Sequence, residues 1–231
     1  MIELTIQIEE LISNNATDFQ ISKVFKTYYK NYLDSIDTTV ETTGGKDFFI
    51  KHTKHTDKFL ILLYKYILRK NFGSHQPMSS FIPISLIALG SYGREQLCIY
   101  SDIDIMILYE NVKGYNLKTI MEEFITLAWD CGLKLGSRVH ELKEIAEAVK
   151  EDITIKSSIL ESRLIYGSKN LWFGYENVLI KIRKTKQKEF VLAKLEEHKQ
   201  RLLKYPLKME PNIKEGYGGI RESNMMYWMA N

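Results

Sequence analysis

Cysteine is scarce in this sequence: Cys98 and Cys131 are the two among 231 residues. Both sit in apolar surroundings, form neither a disulfide framework nor a zinc pattern, and suit a reducing compartment. Charge of one sign is also missing. Lys and Arg number 32 against 29 Asp and Glu, a net +3, too small to announce a nucleic-acid partner. No apolar run approaches a membrane span, and the opening "MIELTIQIEELISNN" is too acidic and too broken for a signal peptide. There is no internal repeat and no low-complexity segment. A Walker A loop is absent too. "GSYGREQL" has no Gly-Lys-Ser/Thr end, and Gly44-Gly45-Lys46 follows no strand, so a P-loop ATPase is disfavoured. What remains, 45% hydrophobic and 26% charged, describes an ordinary globular protein with a real core, expected in the cytoplasm.

Helical spacing dominates the first part of the chain. Ile21, Val24, Phe25, Tyr28 and Tyr32 form one stripe over 17–36, and Phe59, Leu62, Leu63, Tyr66 and Ile67 form another over 47–70. Their aromatic rings are expected in the core or on a half-buried face. "DTTVETTGGK" reads as a loop and "NFGSHQPMSS" as a turn-rich linker. After Pro83 the period changes. "PISLIALG" and "SDIDIMILYE" read as buried strands, and 115–131 as a helix closed by Gly132. "LKLGSRVHEL" reads as a strand and "KEIAEAVK" as a short helix, while "SSILESRLIYG" fits helix or strand. A helix over 188–204 is expected to present Val191, Leu195, His198 and Leu202 on one face. The charge run "KIRKTKQKE" suggests a phosphate patch, but no aromatic interleaves with it and a solvated face is the simpler reading. The expected division is a helical region at 1–78, a catalytic domain at 79–175 and a second helical region at 176–231. The last turns, "SNMMYWMAN", open a helix with no stop signal, the expectation being a chain cut from a longer protein.

Two aspartates interrupt the second strand. In extended chain residues i and i+2 share a face, with Cα atoms about 6.6 Å apart. Asp102 and Asp104 therefore project together, with Met106 and Leu108 further along that face; Ile103, Ile105, Ile107 and Tyr109 line the other. Carboxylates this close repel unless a cation sits between them. A hard divalent ion such as Mg²⁺ accepts such oxygens together with substrate phosphates. Alone, Asp-x-Asp is common and fits a surface strand. Here Gly90-Ser91 follows the preceding strand directly, with Gly93 and Arg94 next. A glycine lets backbone N–H groups approach phosphate oxygens, Ser91 adds a donor, and a following helix would add its dipole. A triphosphate cradle beside a metal site is the expectation.

This constellation resembles the nucleotidyltransferase superfamily that shares its catalytic fold with DNA polymerase β. Within it, "GSYGREQLCIYSDIDIMIL", "LAWDCGLKLGSRV", "DITIKSSILESRLIYGS" and "EPNIKEGYGGIRE" are similar, in order, to segments of the bacterial PII-protein uridylyltransferases. The likeness runs from about residue 85 onward; earlier residues match only in being helical. Ser91 stands where that family often has a second Gly, and Glu222 replaces an Asp. The resemblance implies an α+β, polymerase β-like domain: a small mixed sheet with flanking helices and helical extensions. It implies UTP as co-substrate, Mg²⁺ or Mn²⁺ on Asp102 and Asp104, and a nucleoside triphosphate held by Gly90, Ser91, Gly93 and Arg94. The acceptor it implies is a tyrosine of a PII-type signalling protein, with no nucleic acid and no membrane involved. A downstream hydrolase domain and ligand-sensing domains are implied beyond these residues.

The superfamily usually adds a third carboxylate, as base for the attacking hydroxyl or as a metal ligand. Glu161 in "ILESRLIYG" is the best match; Asp152 is the weaker one and is also explained as a helix N-cap. Arg94 either contacts phosphate or pairs with an acid, and Arg163 is expected to support Glu161. Gly218-Gly219 with Arg221 is expected to make a tight turn packing back on the catalytic domain. His140 reads as structural, and His52 and His55 as surface residues before metal ligands. Two readings compete with uridylyl transfer: the same chemistry with ATP or another acceptor, and a non-catalytic nucleotide-binding or docking module.

Overall fold

A computed structural model describes residues 1–36, 45–73, 75–78, 80–151, 153–206 and 210–230. The loop expected at 37–46 therefore falls largely outside the described residues, and Asp152 does too. The described chain divides into two compact units, 1–142 with 161–173, and 143–160 with 174–231.

The first unit opens with three helices, α1 (Ile2–Ser13), α2 (Asp18–Asp34) and α3 (Gly45–Phe72). Thr17 starts α2 with a capping box: its side chain accepts the Gln20 N–H, and the Gln20 side chain accepts the Thr17 N–H at 2.8 Å. A four-stranded sheet follows in the order β3-β2-β1-β4, from β1 (Ile84–Ala88), β2 (Ile103–Tyr109), β3 (Leu135–Glu141) and β4 (Arg163–Gly167). β1 runs antiparallel to β2 and β4, whereas β2 and β3 are parallel. The parallel pair needs a crossover, which α5 (Leu117–Asp130) supplies. α5 stops in a Schellman motif, with Gly132 at φ +86° and the Leu133 and Gly132 N–H groups donating to the Ala128 and Trp129 carbonyls. The expected small mixed sheet with flanking helices is thus observed.

One apolar core joins the N-terminal helices to the sheet. Phe25, Phe59 and Leu63 pack in the same cluster as Leu86, Ile105, Ile107 and Phe124, all fully or almost fully buried. β1 is buried along its whole length, including Ser85, whose hydroxyl donates to the Ser168 carbonyl at 2.8 Å. That bond satisfies a polar group which would otherwise be costly to bury.

One expectation for these helices is corrected. His52 and His55 are not surface residues. His52 is buried and shares a 2.7 Å hydrogen bond with the Tyr32 hydroxyl, and His55 stacks on the Tyr32 ring at 3.5 Å. Burial pulls both imidazoles down to about 4, so they pack as neutral rings. "SSILESRLIYG" is both helix and strand, because α7 (Ile153–Leu160) ends just before β4 begins.

The second unit is helical, with α6 (Ile145–Glu151), α7, most of α8 (Lys169–Lys184), α9 (Gln187–Lys204) and α10 (Ile220–Ala230). Its small core is Leu160, Phe190, Met225 and Trp228. α9 therefore buries the Phe190–Lys194 side, and Leu195, expected on the packed face, is 39% exposed. The spacing was helical on both faces, and the stem of Lys194 took the core place. Its ammonium lies 5.1 Å over the Trp228 ring and pairs with Glu197 at 2.7 Å. The turn after α9 is tight: Asn212 Oδ1 accepts the Lys214 and Glu215 N–H groups, and Arg221 donates to Glu215 at 3.1 Å.

Candidate active site

The site lies at the end of the sheet where β2 begins. Residues 105–108 are completely buried, whereas Asp104 and Asp102, just ahead of the strand, are exposed. Both faces of β2 are thus covered until the strand reaches its acidic end. This is where a carboxylate pair can stay hydrated and meet a ligand. The Leu89 N–H donates to the Asp104 carbonyl at 2.9 Å, which ties the glycine loop to the acidic strand.

That loop is a single helical turn, α4 (Gly90–Gly93). Its Gly93 and Arg94 N–H groups close on the Leu89 and Gly90 carbonyls, so those of Gly90, Ser91 and Tyr92 have no acceptor within the turn. One turn carries little macrodipole, so the expected help from a helix dipole is corrected to local N–H groups alone. Gly90 has φ +57°, and a Cβ there would stand 3.7 Å from Asp104 Oδ2 and 3.9 Å from Glu161 Oε2. Two carboxylates, Asp104 of β2 and Glu161 of the turn that leads into β4, therefore converge on the spot where residue 90 has no side chain.

Glu161 is nearly buried and pairs with the Arg94 guanidinium. Of the two alternatives for Arg94, pairing with an acid is the one observed. Gly93 has a packing role: a Cβ there would lie 1.7 Å from the Glu161 carbonyl oxygen. The bare glycine lets the turn press against residue 161 and carry the third carboxylate to the site. The structure thus brings together Gly90, Gly93, Arg94, Asp104 and Glu161, with Ser91 in the same turn and Asp102 at the strand entry.

Arg163 does not support Glu161. It forms a fork to Asp57 on α3, donating at 2.9 and 3.1 Å, and its Nη2 donates to the Tyr92 carbonyl at 3.4 Å. The Tyr92 hydroxyl also donates to Asp57, at 2.6 Å. Burial opposes the Arg163 charge, but the hydrogen bonds and charge of Asp57 outweigh it and hold the guanidinium above its ordinary pKa. Tyr92 is pushed up by burial first and by Asp57 second. Asp57 escaped the sequence reading because a lone acid in a helical stripe has no motif. The same is true of Gly136, which faces Asp104 across the parallel register; a Cβ there would lie 2.6 Å from Asp104 Oδ1.

Asp57→Asn leaves a guanidinium beside a neutral amide and is expected to cost about 2–3 kcal/mol, less than for a fully buried pair. The measurement is the urea midpoint. A wild-type midpoint would show that the fork holds nothing in place.

Among the described residues, no group of three or more His, Cys, Asp or Glu side chains is assembled to hold a metal ion. His140, on β3 opposite Leu108, joins no such group. The acidic strand offers hard oxygen donors only, which suits Mg²⁺ or Mn²⁺ with phosphate oxygens and water completing the shell. No helix of the described residues is long and apolar enough to cross a membrane.

The family model described as GlnD PII-uridylyltransferase matches residues 189–231. A bifunctional uridylyltransferase/uridylyl-removing enzyme of Methylococcus capsulatus is 37% identical over 149 residues, 63% of this chain and 17% of the relative. The protein of the same name from Ectopseudomonas mendocina is 38% identical over 150 residues, 64% of this chain and 17% of its own length. That of Vibrio vulnificus is 33% identical over 189 residues, 80% of this chain and 22% of its own. The chain resembles the PII-uridylyltransferases. It spans about a fifth of the length of these uridylyltransferase relatives, between 17% and 22%.

Proposed function

We propose that this chain carries the nucleotidyl-transferring site of a PII-uridylyltransferase, moving UMP from UTP to a tyrosine of a PII-type protein. The observation that carries the proposal is the convergence of the Asp104 and Glu161 carboxylates on the bare Cα of Gly90. The names of the relatives supply the nucleotide and, through the PII-uridylyltransferase model, the acceptor.

In this reading the tyrosine oxygen attacks the α-phosphorus of UTP, the bond to the β-phosphate bridge breaks, and pyrophosphate leaves with that electron pair. A tyrosine hydroxyl has a pKa of about 10, so its proton needs an acceptor; in this reading Glu161 takes that role. The N–H groups of Gly90, Ser91 and Tyr92 hold phosphate oxygens, approached closely because residue 90 has no Cβ. Asp102 and Asp104 would hold Mg²⁺ or Mn²⁺, which when bound polarises the phosphate oxygens and offsets their charge. Arg94 keeps Glu161 in position through its ion pair.

The test is incubation with each α-labelled nucleoside triphosphate, Mg²⁺ and a PII-type protein. Label passing from UTP to a PII tyrosine is the expected result. Transfer from ATP instead would replace the nucleotide, and nucleotide binding without transfer to any acceptor would mark a non-catalytic module.

A further inference from the structure

The second unit carries a half-open cavity of about 460 Å³ that the proposed transfer reaction does not use. Its floor is apolar, with Val149 of α6, Val178 and Ile182 of α8 and Phe190 of α9. Four lysines line it as well: Lys150, Lys156, Lys181 and Lys186, against a single acid, Glu189. Two of these cations are already neutralised, Lys150 by Glu147 at 2.7 Å and Lys186 by Glu189 at 3.1 Å.

Lys156 is different. Only 7% exposed, it donates one hydrogen bond, to the Thr185 carbonyl at 2.9 Å, and lies 4.7 Å over the Phe190 ring. Among the described residues no carboxylate pairs with it. An ammonium has three N–H groups, and a carbonyl and a ring face do not replace a counter-charge; burial without one is costly. Burial accordingly lowers its pKa. The cavity falls within the size range of small-molecule sites, and a bare inorganic ion would leave its apolar floor uncovered.

We propose that this cavity binds a small organic anion, a carboxylate or phosphate carried on an apolar body. The anionic head pairs with Lys156, and Lys181 draws it in from the rim. The body covers Val149, Val178, Ile182 and Phe190, which excludes water from the ion pair and strengthens it. The run "KIRKTKQKE" contributes Lys181 and Lys186, so its charge acts with an apolar floor rather than with interleaved aromatics.

Calorimetry on the full chain tests this with three probes of one apolar body: octanoate, octyl phosphate and neutral octanamide. The expected result is binding of at least one anion, with octanamide weaker by at least about tenfold, the worth of one charged hydrogen bond. Whichever anion binds more tightly names the head group. Lys156→Met keeps the stem volume and its contact with Phe190; it is expected to lose that tenfold preference without a lower melting temperature. Ala193→Trp, which fills the cavity from α9, is expected to abolish binding of all three probes. Equal affinity for octanamide and the anions, or an unchanged preference in Lys156→Met, would overturn the proposal. So would no binding of any probe, or a dimer that excludes octanoate, which would give the cavity to a second copy of the chain.

Discussion

Asp104→Asn is expected to reduce UMP transfer at least about 100-fold, a barrier increase of roughly 2.7 kcal/mol, with the fold intact. The substitution is nearly isosteric. Asp104 is exposed, and Gly136 leaves space beside its Oδ1, so an amide meets no new clash. Its contribution to the sheet is made by the backbone, through the register to Gly136 and the carbonyl that accepts the Leu89 N–H. What disappears is one negative charge at the mouth of the site. In the proposed mechanism that charge would attract the divalent ion and hold it against the phosphate oxygens. Label-transfer rates across a Mg²⁺ titration, beside a far-ultraviolet circular dichroism melt, provide the check. A variant that folds normally and keeps metal-dependent turnover would remove Asp104 from the mechanism.

The second large effect concerns stability and chemistry together. Gly93→Ala places a methyl group 1.7 Å from the Glu161 carbonyl oxygen and 3.0 Å from that of Ala88. Both neighbours are backbone, so no rotamer change relieves the clash, and the turn must move away from residue 161. An overpacking cost of about 3 kcal/mol is expected, with transfer falling as well because Glu161 and Arg94 are displaced. Gly90→Ala is the internal comparison. There the neighbours are 3.7 and 3.9 Å away, and the cost is the strain of positive φ, about 1–2 kcal/mol. Urea denaturation of the two variants should rank Gly93→Ala clearly below Gly90→Ala. The reverse order would mean that the turn does not press on residue 161.

The acidic strand and the glycine turn were legible because both obey short-range rules. Alternation marks Asp104 as the exposed position of an otherwise buried strand, and a glycine directly after a strand signals close backbone approach. The helix-to-strand change at Leu160–Arg163 was not legible, since an apolar run that short satisfies both periods. The packed face of α9 was misread because pattern reading assigns lysine to solvent. Lys194 instead lays its stem across Trp228 and keeps its charge paired. Arg163 was assigned to the nearest acid in sequence, yet its fork reaches Asp57, far away in the chain. His52 and His55 were read as surface residues because nothing local reveals that Tyr32 stacks over one and bonds the other. The last three have a common origin: each depends on a partner from another element, which no local period encodes.

The position of β1 between β2 and β4 has a consequence for how the protein matures. β1 meets β2 after a short excursion, whereas its pairing with β4 waits until α5, β3, α6 and α7 have been traversed. Closing that longer loop costs more chain entropy, and such distant pairings are slow to form. A chain emerging from the ribosome therefore has its aspartates well before it has Glu161. A nucleotide that bound the completed arrangement would stabilise it by mass action. Under the proposed function, UTP would thereby favour chains whose last strand has docked, and the substrate itself would select for finished molecules.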